Sequence, residues 1–351
     1  MSEYPGQVNS SFAARGSAGT AGGLQFRDWE TNERFYLETI EAYAPEVQIY
    51  QAKSIVPVEE GWDSLILDVA GCSPVGPDPG SEMIFRFPRF PKIRDAYRKE
   101  AALLTELGRL LPAPLPVFEH LHLDDPDPYR CFVAYRKLPG APMRREDLFQ
   151  ADGMGARCTP LVDQLAGFLR TLHSIPLDVA YNVLGIPQPD PVAFHSAQVW
   201  RQRYLDLYTW VRQAVFPLLN RDQVARSREL WEPHLAAAEN FYFQPVLIHA
   251  DLGPEHILVD QMTGHLSGII DWEDAQIGDA ALDFAGLASL DTPAALDDLI
   301  ELYFGKTGFQ SGDPSLLKRS TWYRAIAPFY QVQYGLQVEA SNHLKEGLQS
   351  I

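Results

Sequence analysis

Residues 246–260 read VLIHADLGPEHILVD, a stretch that sets polar side chains between two short apolar runs. Asp251 follows the first run and begins a loop, and His256 lies five positions later, where the second run begins. A third apolar run, in GIIDW (268–272), ends at Asp271. Because buried polar groups are costly unless they are held by partners, we expect these two carboxylates and the imidazole to gather around one loop.

The spacing of these residues suits metal-dependent phosphoryl transfer. That chemistry needs one carboxylate near the acceptor hydroxyl and further ligands that hold Mg²⁺ on nucleotide phosphates. His249-x-Asp251, followed by four residues and a ligand, has the spacing of a kinase catalytic loop, and Asp271 is placed where kinases have a metal-binding Asp. An ordinary strand-edge histidine is the alternative for His256. We interpret His249 as a structural residue that bonds nearby backbone.

A nucleotide site also needs a turn over the phosphates and a cation that reaches them. Gly61 in EEGWDS (59–64) offers the turn, although a hairpin without a ligand explains one glycine equally well. Arg86 lies inside the apolar run IFRFP (84–88), where a charge is costly unless it is paired. Glu100, on the following helix, is its predicted partner, and a plain salt bridge without nucleotide is the alternative.

Apolar periodicity divides the chain into a strand-rich part and a helix-rich part. Residues 1–24 are rich in small residues and are predicted to be a flexible tail. Residues 25–138 begin with a helix and continue in the order β-β-β-α-β, which predicts a small sheet-rich lobe. Because this lobe contains Gly61, Arg86 and Glu100, it is the predicted nucleotide-binding lobe. Residues 139–351 are mainly helical, with short strands around the polar stretch, and are predicted to hold the catalytic and acceptor-binding residues. The predicted fold class is therefore α+β.

Composition narrows the possible partners. The 351-residue chain has a formal net charge of −17, which argues against nucleic-acid binding and allows a cationic small molecule as ligand. Its three cysteines include no CxxC pair, so neither a disulfide framework nor a zinc site is expected. No run resembles a membrane span or a signal peptide. We expect a cytoplasmic protein without an obligatory protein partner.

These motifs together resemble the aminoglycoside phosphotransferases. The likeness extends over nearly the whole chain after the tail, and it rests on EEGWDS (59–64), IFRFPR (84–89), KEAALL (99–104), LIHADLGPEHIL (247–258) and GIIDWEDAQIGDAALDFAGL (268–287). The His in EHIL, together with RFPR, is most similar to the 2″-aminoglycoside and macrolide phosphotransferase branches.

The resemblance implies a bilobal, protein-kinase-like fold with a small antiparallel sheet in the N-terminal lobe. It also implies Mg²⁺ as cofactor and ATP or GTP as phosphate donor. Asp251 would be the catalytic base or orienting group, and His256 and Asp271 would bind the metal. Backbone groups of three hinge residues would meet the purine base, namely Tyr135, Arg136 and Lys137.

Two further expectations concern residues around this core set. Most of the superfamily has Lys where Arg86 stands, and Arg is a larger, forked cation, so it either still binds phosphate oxygens or lowers activity. Asp283 in LDFAGL is expected to be structural and to cap or brace the helix beneath the site. The loop 71–82 is a second departure, to which no role is assigned.

The acceptor is expected to be a small molecule that carries a hydroxyl group. Glu273 and Asp274 directly follow the predicted metal ligand and are expected to face an acceptor amine, which favours an aminoglycoside-like aminocyclitol over a macrolide. A metabolite kinase, or a nucleotide-binding module without turnover, would carry the same motifs. Five aromatic residues could form an apolar acceptor wall, but most of them are expected to belong to the core: Trp200, Tyr204, Tyr208, Trp210 and Phe216.

Overall fold

The computed structural model describes residues 29–54, 63–73, 76–77, 82–151, 156–188, 196–288, 293–305, 313–337 and 341–351. The predicted tail and Gly61 lie outside these ranges, as does half of the loop 71–82. Within the described residues, no helix has both the length and the apolar character needed to cross a membrane.

The N-terminal part is built on one antiparallel sheet. Its elements are α1 (Trp29–Tyr43), β1 (Ile49–Ser54), β2 (Ser64–Ser73), β3 (Gly76–Pro77), β4 (Met83–Pro88), α2 (Ile93–Leu107), β5 (Phe118–His122) and β6 (Phe132–Arg136). The strand order is β1-β2-β4-β6-β5, and β3 pairs with the end of β2. Every residue of β4 is buried, so the central strand carries Arg86 into the interior between the sheet and α2.

The predicted order β-β-β-α-β was wrong because it omitted two strands, of which the longer is β5, between α2 and β6. β5 is an edge strand whose residues alternate between half-buried and exposed positions. Its apolar Leu121 points to the exposed side, so the strand lacks the continuous apolar run that identifies a buried central strand. The two-residue β3 was also absent from the predicted order.

The C-terminal part is mainly helical. Its elements are β7 (Ala141–Pro142), β8 (Phe149–Ala151), β9 (Ala156–Cys158), α3 (Pro160–His173), α4 (Leu177–Val183), α5 (Ser196–Trp210), α6 (Arg221–Ala236), β10 (Pro245–Ile248), β11 (Ile257–Val259), β12 (Leu266–Ile269), β13 (Gln276–Asp279), α7 (Ala281–Leu287), α8 (Pro293–Phe304), α9 (Leu316–Gln337) and α10 (Ser341–Ser350). β10 pairs with β13, and β11 pairs with both β12 and β7, all antiparallel. The predicted α+β class is confirmed.

The aromatic residues of α5 belong to the core of the helical part. Trp200, Tyr204 and Tyr208 are buried, and the Tyr208 ring stacks on Trp231 with centroids 5.4 Å apart. Their apolar area stabilises the packing of α5 on its neighbouring helices. Trp210 and Phe216 are partly buried against the same core, so the core interpretation of this aromatic group is confirmed.

A close backbone approach anchors the segment that joins the two parts. Gly140 has φ of 103°, and a Cβ there would come within 2.3 Å of Ser267 Oγ, so glycine is required on both counts. The Met143 N–H then donates to the carbonyl oxygen of Ile257 at 2.8 Å. The chain leaving the N-terminal sheet is thus attached to the polar stretch itself. The lobe boundary after residue 138 stays a prediction.

Candidate active site

The two small sheets of the helical part bring the three predicted site residues together. Asp251 and His256 lie in the connection between β10 and β11, and Asp271 follows β12 directly. One ligand atom from each of the three side chains lies within 4.8 Å of the others. Their predicted proximity is confirmed, while their chemical roles stay predictions.

Left-handed backbone occurs at two points of this arrangement. Ala250 has φ of 70° and Asp271 has φ of 67°. For residues with a Cβ this conformation costs roughly 1–3 kcal/mol, so the surrounding structure must maintain it. Asp283, which is fully buried in α7, accepts hydrogen bonds from the N–H groups of His249 at 3.0 Å and Ala250 at 2.7 Å. These bonds confirm the expected bracing role of Asp283, which ties α7 to the turn that presents Asp251.

The His249 side chain forms hydrogen bonds with nearby backbone groups, as predicted from the sequence. Its Nε2–H donates to the carbonyl oxygen of Ile270 at 3.0 Å, and its Nδ1 accepts from the Asp251 N–H at 3.3 Å. Burial lowers the pKa of His249 to about 4, so the ring is neutral near pH 7. A neutral ring with one donor and one acceptor satisfies both neighbours and joins the two halves of the site.

His256 is oriented by a backbone bond. Its Nδ1 lies 2.7 Å from the carbonyl oxygen of Asp251, which can only accept, so Nδ1 carries the proton and Nε2 points to Asp271 Oδ2 at 3.3 Å. Burial lowers the pKa of His256, but the charges of Asp271 and Asp251 outweigh it and raise the pKa to about 9. A metal that binds Nε2 therefore displaces a proton.

The three ligand atoms fit a small divalent cation. Ligands on opposite sides of Mg²⁺ are about 4.2 Å apart, close to the spread of this group. Asp271 offers a carboxylate, which Mg²⁺ prefers, and the bond from His256 to backbone is the outer support that metal-binding histidines commonly have. The donor set therefore suits a magnesium site with one less usual ligand.

Arg86 lies beside this group and is only 5% exposed. Its Nη1 donates to both carboxylate oxygens of Glu100 at 2.9 Å, which confirms the predicted pair. Its Nη2 donates to Asp271 Oδ1 and to Glu273 Oε2, each at 3.2 Å. One guanidinium therefore connects β4, α2 and the polar segment that follows β12.

Two other contacts of this cluster were missing from the sequence-based predictions. The guanidinium carbon of Arg86 lies 5.1 Å from the centre of the Tyr97 ring, which is fully buried. The Trp272 N–H donates to Glu100 Oε1 at 3.2 Å. The first contact had a signal in the sequence, because Tyr97 and Glu100 are three residues apart and share one face of α2. The second had none, since it depends on backbone from the other lobe.

Carboxyl groups outnumber cations around Arg86 among the described residues. Burial raises the pKa of Glu273 well above its usual value, Asp271 adds to that effect, and Arg86 opposes it. Burial likewise raises the pKa of Glu100, against the attraction of Arg86. Three carboxylates surround one guanidinium, and among the described residues the Arg86 Nε–H has no hydrogen-bond partner. This arrangement favours a ligand that brings positive charge near the carboxyl groups.

The side chains of the predicted hinge residues have partners in the N-terminal sheet. The ring of Tyr135 is buried, and burial raises the pKa of its phenol. Arg136 forms a salt bridge of 2.8 Å with Glu119, and Lys137 one of 2.7 Å with Asp68. A contact of their backbone with a purine base stays a prediction.

The two predicted acceptor residues have little exposed surface. The side chain of Glu273 is 13% exposed and faces Arg86, and Asp274 is 7% exposed. Their contact with an acceptor amine stays a prediction.

Residues 55–314 match the model of the phosphotransferase enzyme family, APH. The viomycin phosphotransferase of Streptomyces vinaceus is 27% identical over 204 residues, which cover 57% of this chain and 62% of that protein. The alignment thus spans less than two thirds of that relative. An uncharacterized Bacillus subtilis protein, YcbJ, is 24% identical over 282 residues, or 78% of this chain and 84% of that protein.

Solved structures with similar folds cover nearly the whole chain. The GDP and kanamycin complex of APH(2″)-IIIa has a TM-score of 0.70 and 23% identity, with 90% of this chain and 96% of that chain covered. Macrolide 2′-phosphotransferase type I has a TM-score of 0.65 and 20% identity, with 93% and 98% covered. At such identities the likeness shows the fold, and it confirms the predicted bilobal, kinase-like architecture.

Proposed function

The chain belongs to the phosphotransferase enzyme family, and on that basis we propose that it transfers the γ-phosphate of ATP or GTP to a hydroxyl group of an aminoglycoside-like antibiotic. The observation that carries this proposal is the group of Asp251, His256 and Asp271 within 4.8 Å, next to the buried cation of Arg86. A catalytic carboxylate, a metal site and a phosphate-binding cation are the parts that phosphoryl transfer needs.

Each of these residues has a role that its position supports. The Asp251 side chain is 46% exposed, so an acceptor hydroxyl can approach it and give up its proton to the carboxylate. Asp271 and His256 would hold Mg²⁺, which when bound offsets negative charge on the phosphates. Arg86, braced by Glu100, would hold phosphate oxygens.

Charge supports a cationic acceptor. The net charge of −17 and the excess of carboxylates near Arg86 attract a molecule with several ammonium groups more strongly than one with a single amine. A macrolide is the second candidate, because the fold is also similar to a macrolide 2′-phosphotransferase. Glu273 and Asp274 were expected to contact the acceptor amine, and their burial gives that expectation little support.

Mass spectrometry of an acceptor panel tests the proposal. Kanamycin, gentamicin, hygromycin, viomycin and a macrolide would each be incubated with enzyme, Mg²⁺ and either ATP or GTP. We expect one added phosphate on an aminoglycoside, and we expect Asp251→Asn to lower the rate roughly 10²- to 10⁴-fold because a general base is lost. Thermal unfolding of this variant should match that of the wild type.

Each remaining outcome has a distinct meaning. A phosphorylated macrolide or viomycin would retain the kinase and change the acceptor. Slow nucleotide hydrolysis by the wild type alone, without any product on the panel, would direct the search to metabolites. The absence of both product and hydrolysis would reject the kinase in favour of a nucleotide-binding module, which nucleotide-dependent thermal stabilisation would reveal.

A further inference from the structure

The two ends of the Arg86 guanidinium are held by different parts of the molecule. Nη1 donates to Glu100 on α2, and Nη2 donates to Asp271 and Glu273 after β12. A lysine at this position would present a single ammonium, for which the brace by Glu100 suffices. A guanidinium is planar and forked. A carboxylate that binds only Nη1 leaves Nη2, and with it the plane of the group, free to rotate.

Glu273 differs from Asp271 in what else it can do. Asp271 Oδ2 lies 3.3 Å from His256 Nε2, and the Asp271 side chain, 32% exposed, belongs to the group that fits a metal. A carboxylate that binds a cation has less charge to offer a guanidinium. Glu273 lies outside that group, and its carboxylate is directed to Nη2 in a mostly buried position.

From this geometry we propose that Glu273 is a positioning residue that fixes the second end of Arg86, and that it is needed because this position holds arginine in place of lysine. The inference rests on the proposed kinase function and on Arg86 as the phosphate-binding cation. Glu100 and Glu273 together set the plane and the orientation of the guanidinium beside Asp271. The acceptor then has no direct contact with Glu273.

A double-mutant cycle on nucleotide binding tests this coupling. Glu273→Gln is made in the wild type and in the Arg86→Lys background, and titration calorimetry gives the Kd of Mg²⁺ complexes of AMPPNP and GMPPNP. We expect Glu273→Gln to weaken nucleotide binding about tenfold when residue 86 is arginine and less than about twofold when it is lysine. Such a difference is the coupling expected of two residues in direct contact. The acceptor KM should stay within about twofold in all variants.

Glu255→Gln is the matched control. It removes one carboxylate charge from the same region, but Glu255 is exposed, and the carboxylates that form salt bridges with Arg86 are those of Glu100, Asp271 and Glu273. We expect it to change the nucleotide Kd by less than about twofold, since exposed charges interact weakly. If thermal unfolding shows that Glu273→Gln impairs folding, Glu273→Asp replaces it in the same two backgrounds. That variant keeps a carboxylate on a shorter side chain.

Two results would overturn the inference while leaving the kinase intact. An equal loss of affinity in both backgrounds would mean that Glu273 acts without regard to Arg86. A raised acceptor KM with unchanged nucleotide Kd would assign Glu273 to the acceptor. Absence of nucleotide binding and of turnover in the wild type would instead reject the proposed function, and with it the inference.

Discussion

Two buried arginines, Arg86 and Arg319, make different use of the same side chain. Arg319, on α9, is 1% exposed, and each of its nitrogens has a partner. Nε and Nη2 donate to Asp279 at 2.6 and 2.8 Å, and Nη1 and Nη2 donate to Asp313 at 3.2 and 2.7 Å. The Tyr323 hydroxyl also donates to Asp279, at 2.9 Å. This network is closed, so it can join α9 to the end of β13 without any ligand.

The network around Arg86 is open by comparison. One guanidinium is surrounded by three carboxylates, one donor remains without a partner among the described residues, and Asp271 reaches the partly exposed surface next to Asp251. Buried charges are tolerated when each is paired, so an incompletely paired cluster indicates a place where a ligand completes the set. The difference between the two arginines therefore lies in their partners, since both side chains are buried.

The largest expected effect comes from the open network. Asp271→Ala removes a predicted metal ligand and one partner of Arg86. We expect phosphate transfer to fall about a hundredfold or more, as when an electrostatic group of an active site is lost. The measurement is kcat over a titration of Mg²⁺, with urea unfolding as the check on stability. A rate equal to wild type at saturating Mg²⁺ would contradict the metal assignment and reduce the contrast between the two networks.

Replacing Arg319 in the closed network should lower the stability of the protein and leave catalysis unaffected. Arg319→Met leaves Asp279 buried without its guanidinium, so we expect the free energy of unfolding to fall by about 3–5 kcal/mol. Urea denaturation measures this, and kcat per folded molecule should stay within about twofold. Arg324→Met is the matched control, because Arg324 is exposed on the same helix and its loss should cost less than about 0.5 kcal/mol. Equal losses of unfolding free energy in Arg319→Met and Arg324→Met would contradict a structural role for Arg319.

Lowering the pH should destabilise the folded protein near Arg319, by less than Arg319→Met does. His234 is buried and stacks on Trp322 with ring centroids 3.7 Å apart. Burial lowers the pKa of His234 to about 4, and Lys318 and Arg319 add to the effect. The unfolded chain binds a proton near pH 6.5 while the folded chain does not, so stability is lost as pH falls from about 6.5 to 4, by up to about 3 kcal/mol.

Replacement of this histidine isolates its contribution. His234→Phe keeps the stacked ring without a titratable group, and the free energy of unfolding should then fall less steeply as the pH is lowered through the same range. His249, whose pKa is also lowered to about 4, would account for part of the remaining slope. An unchanged slope in the variant would show that His234 is not held neutral by the fold.

Much of the site could be predicted because its parts are local in sequence. Asp251 and His256 share one loop, and Arg86 and Glu100 are separated by a single turn between β4 and α2, so apolar patterns and pairing rules were enough to join them. Strand β5 was not predicted, because little in its own local sequence identifies it as a strand. An edge strand with one buried face has no continuous apolar run, and its identity depends on the neighbouring strand that pairs with it.

The amino-acid sequence alone determined the α+β class, the family resemblance and the candidate residues for catalysis and metal binding, because these depend on residue types at short spacings. The contacts of Arg86 beyond Glu100 could not be predicted without the three-dimensional structure, since Asp271 and Glu273 lie 185 and 187 residues away along the chain. The hydrogen bonds from Asp283 to the turn that precedes Asp251 likewise depend on the tertiary structure. Contacts between distant segments follow from how the two lobes pack, and no local pattern carries that information.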